Sequence, residues 1–336
     1  MSGFSLRLVE EARRTIEGTA IRTPLVPSPY LSALAGHDFL LKLEMTQPIG
    51  AFKLRGAANA VFNLPGHVKG VTCCSTGNHG RAVAYAAKAR GLRAVICMSS
   101  LVPQAKIDGI RALDAEVRIV GESQDAALAE SQRLAAEEDL REISPFDDPL
   151  VIAGQATIAM ELLEERPDLA TILVPLSGGG LAGGIAFAVK QLNPAVRVVG
   201  VSMERGAAMH ASIRAGHPVE VDEVPSLADS LGGGIGLDNR LSFPLCRDYL
   251  DDIALVSEDE IYRALQAVYY EDRMVCEGAC VVGIAALQAG RLAEFEGPCA
   301  TILTGRNLDM RVHADIMHGR DVQLGDLVIR GRSYDA

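Results

Sequence analysis

The chain has 336 residues, 49% of them hydrophobic and 22% charged, which is enough apolar material for a large core and excludes a disordered or fibrous chain. Its formal net charge of −11 opposes any partner held through phosphate counterion release, so nucleic acid is not an expected partner.

In chain order, short β-rich runs are predicted at residues 38–45, 71–74, 94–98, 116–120, 170–176, 196–203, 252–256 and 300–304. Apolar residues recur at helical spacing between them, at 78–90, 124–139, 156–165 and 258–271. This alternation predicts an α/β fold, a mostly parallel sheet covered by helices. Two breaks interrupt it, QPIG at 47–50 and SPFDDP at 144–149. They set off a small domain, residues 49–149, inserted into a larger one made of 1–48 and 150–336. No apolar run reaches the roughly 18 to 20 residues that cross a bilayer, and the N-terminal MSGFSLRLVEEARR turns acidic where a secretory signal needs an apolar stretch. A cytoplasmic protein with no membrane partner is expected. The seven cysteines lack zinc spacing and read as reduced core thiols.

Ligands of open α/β sheets bind beyond the carboxyl ends of strands, which directs attention to the loops after Cys74, Leu176 and Thr304. In the second of these, Ser177, Gly178, Gly179, Gly180 and Leu181 lead into a helix of small residues. Stacked glycines let backbone N–H groups approach an anion, and the helix N-terminus adds favourable potential, so a phosphate site is expected. A tight turn needing glycine only for positive φ is the competing explanation. Gly178, Gly180 and Gly183 also satisfy G-x-G-x-x-G, with Glu204 about twenty residues on, the fingerprint of a nicotinamide-binding oxidoreductase.

Lysines are scarce: Lys42, Lys53, Lys69, Lys88, Lys106 and Lys190. Only Lys53, in IGAFKLRGA, has surroundings unlike a solvated face. An amine at a partly apolar helix N-terminus has a lowered pKa, because burial and the positive dipole end both disfavour the ammonium, and it is suited to form an imine. In the loop after Cys74, Ser75, Thr76, Gly77, Asn78 and His79 run straight into a helix. Ordinary N-capping explains part of that run, whereas converging hydroxyls, an amide and backbone N–H groups suit a carboxylate or phenolate. Near the C-terminus LTGRN places Thr304 and Arg306 after a strand, and a hydroxyl there can pair with a ring nitrogen without imposing a charge.

Taken together, AFKLRGA, STGNHG, the glycine run and TGRN resemble the fold-type II pyridoxal-phosphate enzymes, specifically the threonine and serine dehydratase and serine racemase family, over residues 22–309. STGNHGRAVAYAA, LVPQAKIDGIRAL and LTGRN look most similar to its hydroxyectoine-utilisation dehydratase branch. The resemblance implies a tryptophan synthase β-like fold with two open, twisted, mostly parallel sheets covered by helices. It also implies pyridoxal 5'-phosphate as cofactor, a large cofactor-binding domain and a small mobile domain closing over substrate. Residue by residue, Lys53 would form the imine, Phe52 pack against the ring, Asn78 bond the ring hydroxyl oxygen and Thr304 the ring nitrogen. Ser177, Gly178, Gly179, Gly180 and Leu181 would cradle the phosphate, and Ser75, Thr76, Gly77, Asn78 and His79 would grip the substrate carboxylate.

A neutral hydroxyl at Thr304 cannot hold the ring nitrogen protonated as a carboxylate would, so the ring is a weaker electron sink and β-elimination is favoured. The expected activity is therefore that of a lyase dehydrating a 3-hydroxy amino acid to an oxo acid and ammonia, with Lys53 as base. Departures from the family pattern matter too. Thr76 stands where racemases have a catalytic serine, which weighs against an amino-acid racemase. Ser202 and Ala208 replace the acidic pair of the family's divalent-metal site, so no metal is expected there. Glu204 reads as a surface pair with Arg205. Arg306 replaces a small residue and either recognises a polar group on the substrate or forms an outward ion pair. Gln124 stands where some relatives have a substrate-clamping arginine, which weighs against 3-hydroxyaspartate. A ligand-binding homologue without activity is disfavoured by the retained Lys53. The family is frequently dimeric, and a homodimer acting on a small amino acid is expected.

Overall fold

A computed structural model describes residues 4–335 apart from Thr76, Leu101, Pro103, Ser123, Glu294 and Phe295. The expected catalytic residue Thr76 and the side chain of Gln124 thus lie outside the described part. By internal contacts the chain divides into one unit of Met1–Ile21 with Gln47–Thr157 and another of Arg22–Thr46 with Ile158–Ala336. Sequence breaks had suggested divisions at 48/49 and 149/150. Residues 1–21 join the first unit because Ile16 and Ala20 share an apolar cluster with Ile49, Leu54 and Ala57. The Gln47 side chain ties the same stretch down, accepting from the Ile21 N–H at 3.0 Å and donating to the Ile21 carbonyl at 2.8 Å.

The first unit holds a four-stranded sheet in the order Glu116–Ile119, Arg93–Met98, Gly70–Cys74, Leu140–Glu142, parallel throughout. Arg93–Met98 is buried from Ala94 onward, and its continuous apolar run is what a strand covered on both faces requires. Helix Asn78–Arg90 follows the Gly70–Cys74 strand and ends on Gly91, whose φ of 70° is the left-handed conformation glycine adopts without strain. Helix Lys53–Phe62 lies against helix Pro149–Glu165 at a crossing that two glycines make possible. A Cβ on Gly56 would sit 2.7 Å from the Val151 carbonyl oxygen, and one on Gly154 would sit 2.5 Å from that of Arg55. Backbone contact of this closeness fixes the helix whose first residue is Lys53.

The second unit is built on a six-stranded sheet, ordered Leu25–Pro27, Phe39–Lys42, Cys299–Ile302, Thr171–Pro175, Arg197–Met203, Asp252–Val256. Leu25–Pro27 is antiparallel to its neighbour and every other pairing is parallel. Cys299 pairs with Thr171 and Thr301 with Leu173, so the loops after these two strands leave the same end of the sheet side by side. A hairpin, Val322–Leu324 with Leu327–Ile329, and helix Glu258–Tyr270 pack on the main cluster. That helix begins with a reciprocal cap in which the Ser257 hydroxyl accepts from the Glu260 N–H while the Glu260 carboxylate accepts from the Ser257 N–H.

All the strands predicted from sequence are present, with ends moved by a few residues. The strands Leu25–Pro27, Leu140–Glu142, Val322–Leu324 and Leu327–Ile329 had no prediction, because three residues are too few to establish a period. SPFDDP is a helix start as well as a break: Asp148 accepts from the Leu150 and Val151 N–H groups at 2.8 and 3.0 Å, and Pro149 opens the helix expected only from 156. Lys42 also departs from the sequence reading. It is fully buried, its ammonium 2.7 Å from the Glu161 carboxylate and 2.7 Å from the Thr23 carbonyl. All seven cysteines are free thiols, and only Cys74 is not buried. Among the described residues no helix is long and apolar enough to cross a membrane.

Candidate active site

In the first unit, Gly50 with a φ of 75° turns the chain out of Gln47, and Phe52 and Lys53 follow at the start of helix Lys53–Phe62. The Lys53 amine donates to the Pro145 carbonyl at 2.7 Å and stands 5.4 Å from the centre of the Phe52 ring. Burial pushes its pKa down from the ordinary 10.5 to about 8, the nearby Cys73 thiol acting weakly in the opposite sense. The N-terminal end of the helix dipole acts in the same direction as burial. Pro145, which holds this amine, lies in the segment read from sequence only as a domain break.

The loop after Gly70–Cys74 delivers Ser75, Gly77, Asn78 and His79 to the carboxyl end of its strand. The Ser75 hydroxyl accepts from the Gly77 N–H at 3.3 Å, a side-chain turn that shapes the loop, and Asn78 is the first residue of its helix. His79 is 4% exposed, and its Nε2 lies 2.8 Å from the Ile143 carbonyl, so Nε2 carries the proton. Nδ1 is buried without a hydrogen-bond partner among the described residues. Burial, reinforced by the charge of Lys53, lowers the His79 pKa to about 3, and the ring is neutral. The imidazole is thus committed to the interior, which leaves the backbone N–H as the group His79 can offer a carboxylate.

In the second unit, the loop after Thr171–Pro175 carries Ser177, Gly178, Gly179, Gly180 and Leu181 into helix Gly180–Leu192. Gly179 caps that helix with a φ of 87°, and a Cβ there would stand 2.6 Å from the Met209 methyl and 2.8 Å from the Cys246 sulfur. Helix Ser242–Tyr249 holds the carbonyl side of the loop: the Ser242 hydroxyl donates to Gly178 O at 2.7 Å and the Cys246 thiol to Gly179 O at 3.5 Å. With the carbonyls drawn toward that helix, the loop offers the first N–H groups of helix Gly180–Leu192, which have no intrahelical acceptor. Sequence reasoning did not find Ser242 or Cys246, since nothing local ties them to a loop more than sixty residues away.

The dinucleotide reading loses its support at Glu204. Gly183 packs closely under helix Ser242–Tyr249, where a Cβ would lie 3.0 Å from the Leu245 Cβ and 3.2 Å from the Cys246 sulfur. Glu204 pairs with Arg291 at 3.5 Å, both about 44% exposed, whereas Arg205 donates to the Pro225 carbonyl; the expected Glu204–Arg205 pair is corrected accordingly.

Next to the glycine loop in the same sheet, Thr304 is 5% exposed after strand Cys299–Ile302. Its hydroxyl lies 3.3 Å from the Cys280 sulfur. Glu277 accepts from the Ser230 hydroxyl at 2.7 Å and the Asn307 N–H at 2.8 Å, and its own N–H donates to Gly305 O at 3.0 Å. Arg306 is exposed, and no carboxylate among the described residues pairs with it, which removes the ion-pair explanation. No three His, Cys, Asp or Glu side chains gather as metal ligands among the described residues.

Residues 16–305 match the family described as pyridoxal-phosphate dependent enzyme. The chain belongs to that family. A provisionally named threonine dehydratase of Sinorhizobium fredii is 53% identical over 321 residues, 95% of this chain and 97% of that protein. An L-threonine ammonia-lyase of Geobacter sulfurreducens is 37% identical over 306 residues, covering 90% of this chain and 76% of the relative. Among solved structures, that of maize serine racemase superposes with a TM-score of 0.88 at 30% identity, over 94% of this chain and 97% of that one. The protein is a pyridoxal-phosphate-dependent lyase of the fold-type II architecture. The residues present suit that cofactor: in the first unit an amine held partly deprotonated, and in the second a glycine run that leads into a helix N-terminus and a buried neutral hydroxyl at Thr304.

Proposed function

We propose that this lyase dehydrates a 3-hydroxy amino acid by β-elimination, releasing ammonia and an oxo acid, and that its substrate is an intermediate of hydroxyectoine degradation. The observation carrying the reaction is the Lys53 amine, whose pKa of about 8 leaves a useful fraction unprotonated at neutral pH. When bound, pyridoxal phosphate supplies the electron sink for loss of the Cα proton and the β-hydroxyl. In this reading Lys53 would hold the cofactor through its amine and would take the Cα proton of the substrate. Phe52 would pack on the ring, Asn78 bond its hydroxyl oxygen, Thr304 meet its nitrogen without adding charge, and Ser177 to Leu181 hold the phosphate. Ser75, Gly77, Asn78 and the backbone of His79 bind the substrate carboxylate, with Thr76 as a further polar and catalytic group. Arg306, exposed and unpaired, reads a polar group on the substrate side chain. The likeness to named threonine ammonia-lyases supports the elimination, and the sequence run LVPQAKIDGIRAL supports the finer substrate. The functional unit in this reading is a homodimer.

The test is to reduce the holoenzyme with borohydride, map the labelled residue, and follow ammonia and oxo acid with L-threonine, L-serine, 3-hydroxyaspartate and hydroxylated diaminobutyrate derivatives. Label on Lys53 with oxo acid from one of these supports the proposal. Label elsewhere, or no elimination from any of them, overturns it. The structural likeness to maize serine racemase favours racemisation as a second reading, and appearance of the opposite enantiomer without oxo acid would establish it.

A further inference from the structure

We infer that Cys280 is a positioning residue that sets the direction of the Thr304 hydroxyl toward the cofactor ring. The inference rests on the assignment of Thr304 to the ring nitrogen. The Cys280 sulfur is fully buried at the end of the turn Gly278–Cys280, and besides the Cys276 thiol, with which it shares a hydrogen bond, it meets Gly305 and Thr304. It donates to Gly305 O at 2.7 Å, accepts from Gly305 N–H at 2.9 Å, and lies 3.3 Å from Thr304 Oγ1.

A thiol has one proton, so the donors can be counted. While that proton is on Gly305 O, the sulfur can only accept, so the contact with Thr304 Oγ1 is a hydrogen bond only when Thr304 directs its own proton at sulfur, in competition with the ring nitrogen. The hydroxyl then presents lone pairs alone, a poor partner for an unprotonated ring nitrogen. Gly305 O, however, has a second donor in the Glu277 N–H at 3.0 Å. The thiol can therefore leave Gly305 O without stranding a buried carbonyl, turn its proton to Thr304 Oγ1, and free the Thr304 proton for the ring. Cys280 acts through Thr304 and touches no reacting atom. The sequence alone could not have singled it out, because Cys280 and Thr304 are separated by 24 positions and meet only through the sheet.

The experiment is a double-mutant cycle on the full-length holoenzyme, with Cys280→Ala, Thr304→Val and the pair. It reads the dissociation constant of pyridoxal phosphate and the pH midpoint of the bound cofactor's absorbance, with thermal midpoints of the cofactor-free proteins as a folding control. Each single variant should weaken the cofactor by about five- to tenfold, the scale of one lost hydrogen bond, and shift the absorbance midpoint. The pair should be no weaker than Thr304→Val alone. Cys280→Ser, which keeps a donor and an acceptor, should hold affinity within about twofold of wild type. Additive losses in the pair, equal losses in the serine and alanine variants, or a lower thermal midpoint with unchanged affinity and absorbance would each overturn the role of Cys280 while leaving the Thr304 assignment standing. An unchanged cofactor affinity and spectrum in Thr304→Val would overturn both.

Discussion

Replacing Lys53 with methionine in the cofactor-free protein should stabilise the fold, and the gain should shrink as pH rises. The ammonium is held at a pKa of about 8 against an ordinary 10.5, with burial as the main cause. Below pH 8 both folded and unfolded chains are protonated, and the folded state bears the full cost of the buried charge. Between pH 8 and 10.5 the folded chain binds fewer protons than the unfolded one, so stability rises with pH across that window. A difference of about 2.5 pH units at 1.36 kcal/mol each gives about 3 kcal/mol at pH 7 and about 1.5 kcal/mol at pH 9.5. Urea unfolding of wild type and Lys53→Met, comparing the transition of the unit that holds residue 53 at the two pH values, measures the difference. Acylation of the amine by a small reagent, followed by mass spectrometry, gives a second measure. At pH 7.4 about 20% of the amine should be neutral, against about 0.1% of an ordinary lysine. A variant less stable than wild type at pH 7, or a gain unaffected by pH, would refute the claim that Lys53 is kept short of its proton by burial.

Three other outcomes follow from the same geometry. Gly179→Ala puts a methyl against Met209 and Cys246 at a φ of 87°; it should weaken phosphate-bearing cofactor by more than about tenfold and cost about 1–3 kcal/mol, seen in cofactor titration and thermal melts. Lys42→Met removes the buried ammonium that the Glu161 carboxylate meets at 2.7 Å and should destabilise the second unit by about 3 kcal/mol, whereas pairing it with Glu161→Leu should recover most of the loss. His79, with a pKa of about 3, takes up no proton while folded as pH falls from 6.5, whereas the unfolded chain does; stability is therefore lost progressively below pH 6.5, and His79→Gln should flatten that acid limb in equilibrium unfolding.

Much of the scaffold was legible in the residues themselves. Runs such as Ala94 to Met98 and Val198 to Met203 are apolar because both faces of a parallel strand are covered, so their location shows in local composition. Glycine at 179 and the amine at 53 were legible for the same reason: a left-handed cap and a helix-end lysine leave local marks. The proline and aspartate cluster at 144–149 was ambiguous, because a residue that ends one element and one that opens the next use the same chemistry.

Sequence by itself determined the α/β class, where the main parallel strands lie along the chain, and which loops carry amine, glycines and hydroxyls. Tertiary structure alone decided how those groups are held. It placed Pro145 on the Lys53 amine, Ser242 and Cys246 behind the glycine loop, and Cys280 on Thr304, and it buried Lys42 against Glu161. Local pattern reports the conformation of a short stretch of chain, whereas a proton's affinity and a hydroxyl's direction depend on atoms that arrive from dozens of residues away once the sheet has formed.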